Sequence, residues 1–134
     1  MKSKGWANEA FTTWREGVAD EVKIMRETAC NPFSDNPSRA KDQLHELVAY
    51  FVRACFILAE SESYLSRAQA EAYEASAGTV REREIALNIA VVEEQFFRDE
   101  VAGLVIGLDR ATSVGQSSLR NSEKEYKKSG AAGV

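Results

Sequence analysis

Apolar residues recur at three- and four-residue spacing along most of this chain, the repeat of an amphipathic α-helix. From about Trp6 to Thr28 they are Ala7, Phe11, Trp14, Val18, Val22 and Met25, which predicts a first helix over about residues 6–28. A second series forms a heptad seam of Leu44, Val48, Phe51, Cys55, Leu58, Glu62, Leu65, Gln69 and Ala72, and predicts a helix over about 37–77. A third carries Ile85, Ile89, Val92, Phe96, Phe97, Val101, Leu104, Val105, Leu108 and Val114, over about 80–126.

Local signals punctuate these series. Asn31 to Pro37 (NPFSDNP) is the clear loop, and Asn36 followed by Pro37 is a strong helix start: a side-chain cap, then a residue with φ preset and no amide to satisfy. Gly78 supplies the left-handed residue that ends many helices. Directly after it, Thr79-Val80-Arg81-Glu82 spells a capping box. With a C-cap and an N-cap adjacent, the turn is tight and the flanking helices must run antiparallel. The expected fold class is all-α: a long antiparallel helical hairpin, projecting as a coiled-coil arm, with a shorter N-terminal helix packed on its open end to make a three-helix bundle. It is expected to be a single domain over residues 1–128, with 1–5 frayed and 129–134 a flexible tail.

Folding back at Gly78 sets Glu62 level with Gln95 and Gln69 level with Asn88. These four residues are candidate register layers, because isolated polar positions in a coiled coil cost stability but fix alignment. The same register puts Glu46 near Arg110 as an expected ion pair. Toward the open end both long helices are apolar on more than one face and need a third element as cover. Toward Gly78 an Ala-rich, charged surface is expected. Gly103, Gly107, Ala111 and Gly115 make a stripe of small residues at four-residue spacing. Each glycine costs about 1 kcal/mol against alanine inside a helix, so close approach by the first helix or by another subunit is the expected return.

Composition narrows the class. The chain has 134 residues, 44% hydrophobic and 28% charged, with a net charge of −4. That balance disfavours a general binder of nucleic acid or anionic membrane. The longest apolar run, Leu47 to Ala59, is interrupted by Arg53 and too short for a bilayer. Cys30 and Cys55 suggest no disulfide scaffold, and nothing resembles a secretory leader, so a reducing cytoplasm is expected. Glu60, Glu62, Glu93, Glu94, Asp99 and Glu100 gather carboxylates on the arm. A dimetal bundle would also need Glu-x-x-His on two helices, and His45 is the sole histidine. No phosphate loop, Cys-x-x-Cys or nucleophile–base pair occurs. The expectation is no enzyme, no metal and no cofactor.

Ala72-Tyr73, then Gly78-Thr79-Val80-Arg81-Glu82-Arg83, and later Val114-Gly115-Gln116-Ser117 with Leu119-Arg120 carry a resemblance. The chain looks like a group of small tailed-bacteriophage helical-hairpin proteins with an AY…GTV-x-ER turn and a VG-[QR]-S…LR end. The match spans roughly residues 65–121. Such proteins are usually uncharacterised and often encoded among early or recombination genes. The resemblance implies a phage origin and the host cytoplasm, and brings no activity or site residue with it.

The functional expectation is a non-enzymatic interaction protein, forming a homo-oligomer and binding a phage or host protein in replication, recombination or counter-defence. Candidate contact residues are Tyr73, Thr79, Arg81 and Arg83 at the arm tip, and the Trp6/Phe11 face of the first helix. One alternative is a nucleic-acid-binding recombination accessory using Arg81, Arg83, Arg120, Lys124, Lys127 and Lys128. Another is a structural virion component.

Overall fold

The computed structural model describes residues 2–132, with side chains from Ala10 to Lys127 apart from Ser122 and Tyr126. Four packed helices account for almost all of it, and no strand occurs among the described residues: α1 (Lys2–Cys30), α2 (Pro37–Ala75), α3 (Val80–Ala90) and α4 (Val92–Ala132). None of these helices is long and apolar enough to cross a membrane.

The helix ends form where the local chemistry dictates. Asn36 Oδ1 accepts from the amides of Ser38 and Arg39 at 2.9 and 3.4 Å, and Pro37 opens α2. Thr79 Oγ1 accepts from the Glu82 amide at 3.2 Å while the Glu82 carboxylate accepts from the Thr79 amide at 3.4 Å, closing the capping box. Gly78 has φ of +105°, a backbone conformation that side-chain-bearing residues rarely adopt. The helix before it stops at Ala75, two residues earlier than its sequence pattern predicts, capped by Ser76.

Two boundaries differ from expectation. The third series is two helices rather than one, because Val91 leaves the helical region (φ −111°, ψ 16°). Ile89, Val91 and Val92 put three β-branched residues in four positions, where stiff side chains weaken the helix. The interruption is short: the Val91 amide still reaches Leu87 O at 3.2 Å and the Gln95 amide reaches Val91 O at 2.9 Å. At the other end, α4 remains helical through Ala132, so residues 129–132 continue the helix in place of the expected tail, and 133–134 lie outside the described residues.

Helix α2 touches all three other helices, and α1 packs on both α2 and α4. The main core joins Phe11, Val18, Val22 and Met25 of α1 to Leu47, Ala54 and Ile57 of α2 and to Phe97, Val101, Leu104 and Leu108 of α4. At roughly 1.5–3 kcal/mol for each large apolar side chain removed from water, this cluster is the main source of stability. A smaller cluster of Leu65, Ala72 and Val91 extends toward Gly78. Later residues of α2 meet earlier residues of α3 and α4: Phe33, before α2, lies on Gly115, Leu65 packs with Val91, and Tyr73 meets Arg83.

The buried line of α2 is displaced from the heptad seam. Leu47, Ala54, Ile57, Ser61 and Leu65 are buried, whereas Val48 is 42% exposed and Glu62 is exposed. The reason is that α2 has two neighbours along its first half. Its deepest positions lie between the two contact lines, and Leu44, Phe51 and Leu58 are only half-buried on one flank. Ser61 occupies the polar place expected for Glu62, its hydroxyl donating to Leu58 O at 2.7 Å.

The loop before α2 is clamped rather than loose. Gln43 accepts from the Ser34 amide at 2.8 Å and donates to Pro32 O at 3.2 Å. That clamp holds Phe33 against the bare Cα of Gly115. A Cβ at Gly115 would overlap the Phe33 ring, whereas one at Gly103 or Gly107 would meet nothing within 4 Å. Substitution by alanine should therefore split by position. Gly103→Ala is expected to raise stability by about 1 kcal/mol through helix propensity, and Gly115→Ala to lower it as Phe33 is pushed out. Gly78→Ala is expected to lose about 1–2 kcal/mol because its φ is positive. Denaturant midpoints of the three variants check the ordering.

Candidate interaction surfaces

The tip residues come together in part. Tyr73 is 56% exposed, and the Arg83 guanidinium lies over its ring at 5.4 Å from the centroid, with Nη1 donating to the phenol oxygen at 3.5 Å. Arg83 Nε is buried and has no acceptor among the described residues. The result is an aromatic–cation pair with both χ systems held in place, one turn from the reversal of the chain. Arg81 is exposed beside it. Thr79 belongs to a different role, since its hydroxyl oxygen is occupied as the N-cap of α3.

On α1 the expected Trp6/Phe11 face is corrected at Phe11. That ring is only 1% exposed and lies against Trp14, Tyr64 and Phe97, with centroids at 6.3, 5.9 and 6.1 Å. It is a core residue and offers nothing to a partner. The periodicity marked it as apolar but could not separate a core ring from a contact ring. The side chain of Trp6 lies outside the described residues. Trp14 stacks on Tyr64 at 4.9 Å and donates its indole N–H to Glu60 at 2.6 Å.

Among the other candidates, the stripe glycines receive a close neighbour at Gly115 alone, from a loop phenylalanine and not from a helix, while Ala111 packs against the main core. The four register residues make no hydrogen bond with one another among the described residues. Gln95 instead donates to Asp99, one turn along its own helix, at 3.1 Å. Glu46 and Arg110 form no ion pair, and the Glu46 carboxylate sits beside the Tyr50 hydroxyl, holding that phenol above its ordinary range.

The carboxylates disperse into separate contacts. Glu100 pairs with Arg26, Glu21 with Arg53 at 2.9 Å, and Asp99 with the neighbouring Arg98 at 3.3 Å. No group of three or more metal-ligating side chains occurs among the described residues. Glu94 is the exception to their exposure, at 4%. Burial raises its pKa above the ordinary carboxylate range, reinforced by Glu93 and opposed by its own backbone amide and by Arg15.

The surface also carries apolar residues that periodicity assigned to the core. Ile85, Ile89, Val92 and Phe96 are 52%, 70%, 58% and 71% exposed, and Val114 is 59% exposed. On α2, Val52 and Phe56 are 50% and 62% exposed. The end near Gly78 is thus more apolar than expected. The signal was present in the sequence as two apolar lines on one helix, but only packing reveals which line is left bare. No family model, curated protein or solved structure matches the chain.

Burying Glu94 makes stability depend on pH. Its folded pKa lies above the unfolded value, so the folded state binds the extra proton between the two values. Stability from this group therefore falls as pH rises through that window. Glu94→Gln is expected to melt higher than wild type at pH 7, with the advantage shrinking as pH falls toward the ordinary carboxylate range. Thermal melts at pH 7 and pH 4 check the trend, and an equal or lower midpoint at pH 7 would contradict it.

Proposed function

We propose that this chain is a non-enzymatic helical interaction protein. In this reading, α2 and α3–α4 are the two limbs of a long antiparallel hairpin, and α1 covers its open end to complete a three-helix bundle. The limb ends near Gly78 form an arm that carries the contact tip. The protein binds a protein partner of phage or host in the host cytoplasm, in replication, recombination or counter-defence. Phage origin follows from the resemblance of the turn and terminal motifs.

The observation that carries the reading is the Tyr73–Arg83 pair. Interfaces concentrate their energy in aromatic and arginine anchors whose rotamers are fixed beforehand. Tyr73 supplies an exposed ring, and Arg83 holds its guanidinium over that ring with Nη2 left to meet a carbonyl or carboxylate. Arg81 adds a second cation at the same end.

A nucleic-acid accessory is the second reading. It is favoured by Arg120, Lys124 and Lys127, which are all exposed on the last turns of α4. The net charge of −4 opposes it.

Affinity capture from infected cells, comparing wild type with Tyr73→Ala and Arg83→Ala, tests the first reading. A protein retained by the wild type and lost from both variants at unchanged thermal stability is the expected result. Indistinguishable capture by all three chains would remove the tip as the contact. Binding of DNA that weakens steeply with salt would transfer support to the second reading.

A further inference from the structure

The exposed apolar line on α3 and α4 is palindromic in its spacing. From Ile85 it steps four, three and four residues to Ile89, Val92 and Phe96. After a gap of seven it repeats four, three and four through Gly103, Gly107, Arg110 and Val114. At about 100° per residue, the six positions on α4 from Val92 to Val114 fall within an arc of roughly 60° on one helix face, and Ile85 and Ile89 carry the same spacing on α3. That face points away from the buried line of Phe97, Val101, Leu104 and Leu108.

The two halves of the line differ in shape. The first carries bulky, exposed side chains, with Phe96 at 71%. The second carries Gly103 and Gly107, where an added Cβ would meet nothing within 4 Å. Beside those glycines, Ala29 and Cys30 of α1 and Leu104 of α4 wall a shallow groove that Phe96 and the Arg26–Glu100 pair of the same chain also line. One half therefore presents knobs and the other holes, as helices need in order to interdigitate.

We infer that this face is the contact between two copies of the chain, paired antiparallel about a twofold axis lying between Asp99 and Glu100. This rests on the reading of the chain as an interaction protein, and uses a face other than the Tyr73 tip. The axis sets Phe96 level with the partner's Gly103 and Val92 level with the partner's Gly107. It also sets Ile85 level with the partner's Val114 and Ile89 level with the aliphatic stem of the partner's Arg110. A twofold contact requires one patch to complement itself, which a palindrome of bulky and absent side chains achieves. A parallel pairing would instead stack Phe96 on the partner's Phe96 and leave the glycine holes empty.

The size of the patch sets the strength. The line is roughly 43 Å long at about 1.5 Å per residue, and one helix face about 10 Å wide gives on the order of 400 Å² per copy. That is about half of what each partner buries in a standard stable interface. The α1 edge at Ala29 and Cys30 adds to it, and a dimer in the micromolar range is expected. Asp99 is a counterweight. It is exposed beside the axis and approaches the partner's Asp99, with Arg98 at 3.3 Å as partial compensation.

Sedimentation velocity of the full chain over a range of micromolar concentrations reads the equilibrium. The expected result is a concentration-dependent dimer, weakened at least tenfold by Phe96→Ser and by Gly103→Leu. It should be tightened by Asp99→Asn and left unchanged by Phe56→Ser, whose ring is exposed on α2. Gly103→Leu should melt no lower than wild type in dilute solution, because its side chain enters open space within its own chain. For direction, Cys30 and Cys55 are replaced by alanine, and Ile85→Cys chains are mixed with Val114→Cys chains under oxidation. Mixed cross-links support the antiparallel pairing, whereas preferential linkage of identical chains overturns it. A monomer at every concentration, or a dimer lost with Phe56→Ser and kept with Phe96→Ser, also overturns it. Either result leaves capture of a partner by the Tyr73 tip unaffected.

Discussion

Phe11 sits where three helices meet, and its burial is the constraint on which the arrangement depends. The ring contacts Trp14 on its own helix, Tyr64 on α2 and Phe97 on α4, with centroids between 5.9 and 6.3 Å. Trp14 adds an edge-on contact with Phe97 at 5.4 Å. Tilted and edge-on aromatic pairs gain beyond the area they bury. They also fix the height of α1 along the other two helices, because a ring cannot slide past its neighbours as a leucine could. Trp14 reinforces that height through its bond to Glu60.

From that point the fold changes character in both directions. Toward the loop before α2, three helices share the core, and Phe33 closes the end with its ring tip on Gly115. Toward Gly78, the core among the described side chains thins to Leu65, Ala72 and Val91. Ile85, Ile89, Val92 and Phe96 lie on a second apolar line that stays exposed.

The buried carboxylate follows from the same geometry. Glu94 lies at the junction of the two regions, one turn after the interruption at Val91, where the buried line of α4 begins. No ion pair offsets it among the described residues, and burial raises its proton affinity. Of the other acidic residues of this region, Glu100, Asp99 and Glu60 pair with Arg26, Arg98 and the Trp14 indole, and Glu62 and Glu93 stay exposed to water.

What the sequence determined by itself was local. Asn36-Pro37, Gly78 and Thr79-x-x-Glu82 each carry their own hydrogen-bonding or dihedral requirement within four residues, so the starts of α2 and α3 and the left-handed glycine between those helices were legible without any tertiary information. The period of the apolar residues likewise fixed the all-α class. Which of two apolar lines on one helix becomes core was not legible, because both satisfy the same period. Leu47 in place of Val48, Ser61 in place of Glu62, and Phe11 buried rather than offered to a partner were decided by where the neighbouring helices lie. The open space over Gly103 and the closed space over Gly115 were decided in the same way. A glycine records only that a side chain is missing, and the surrounding fold determines whether anything fills the gap.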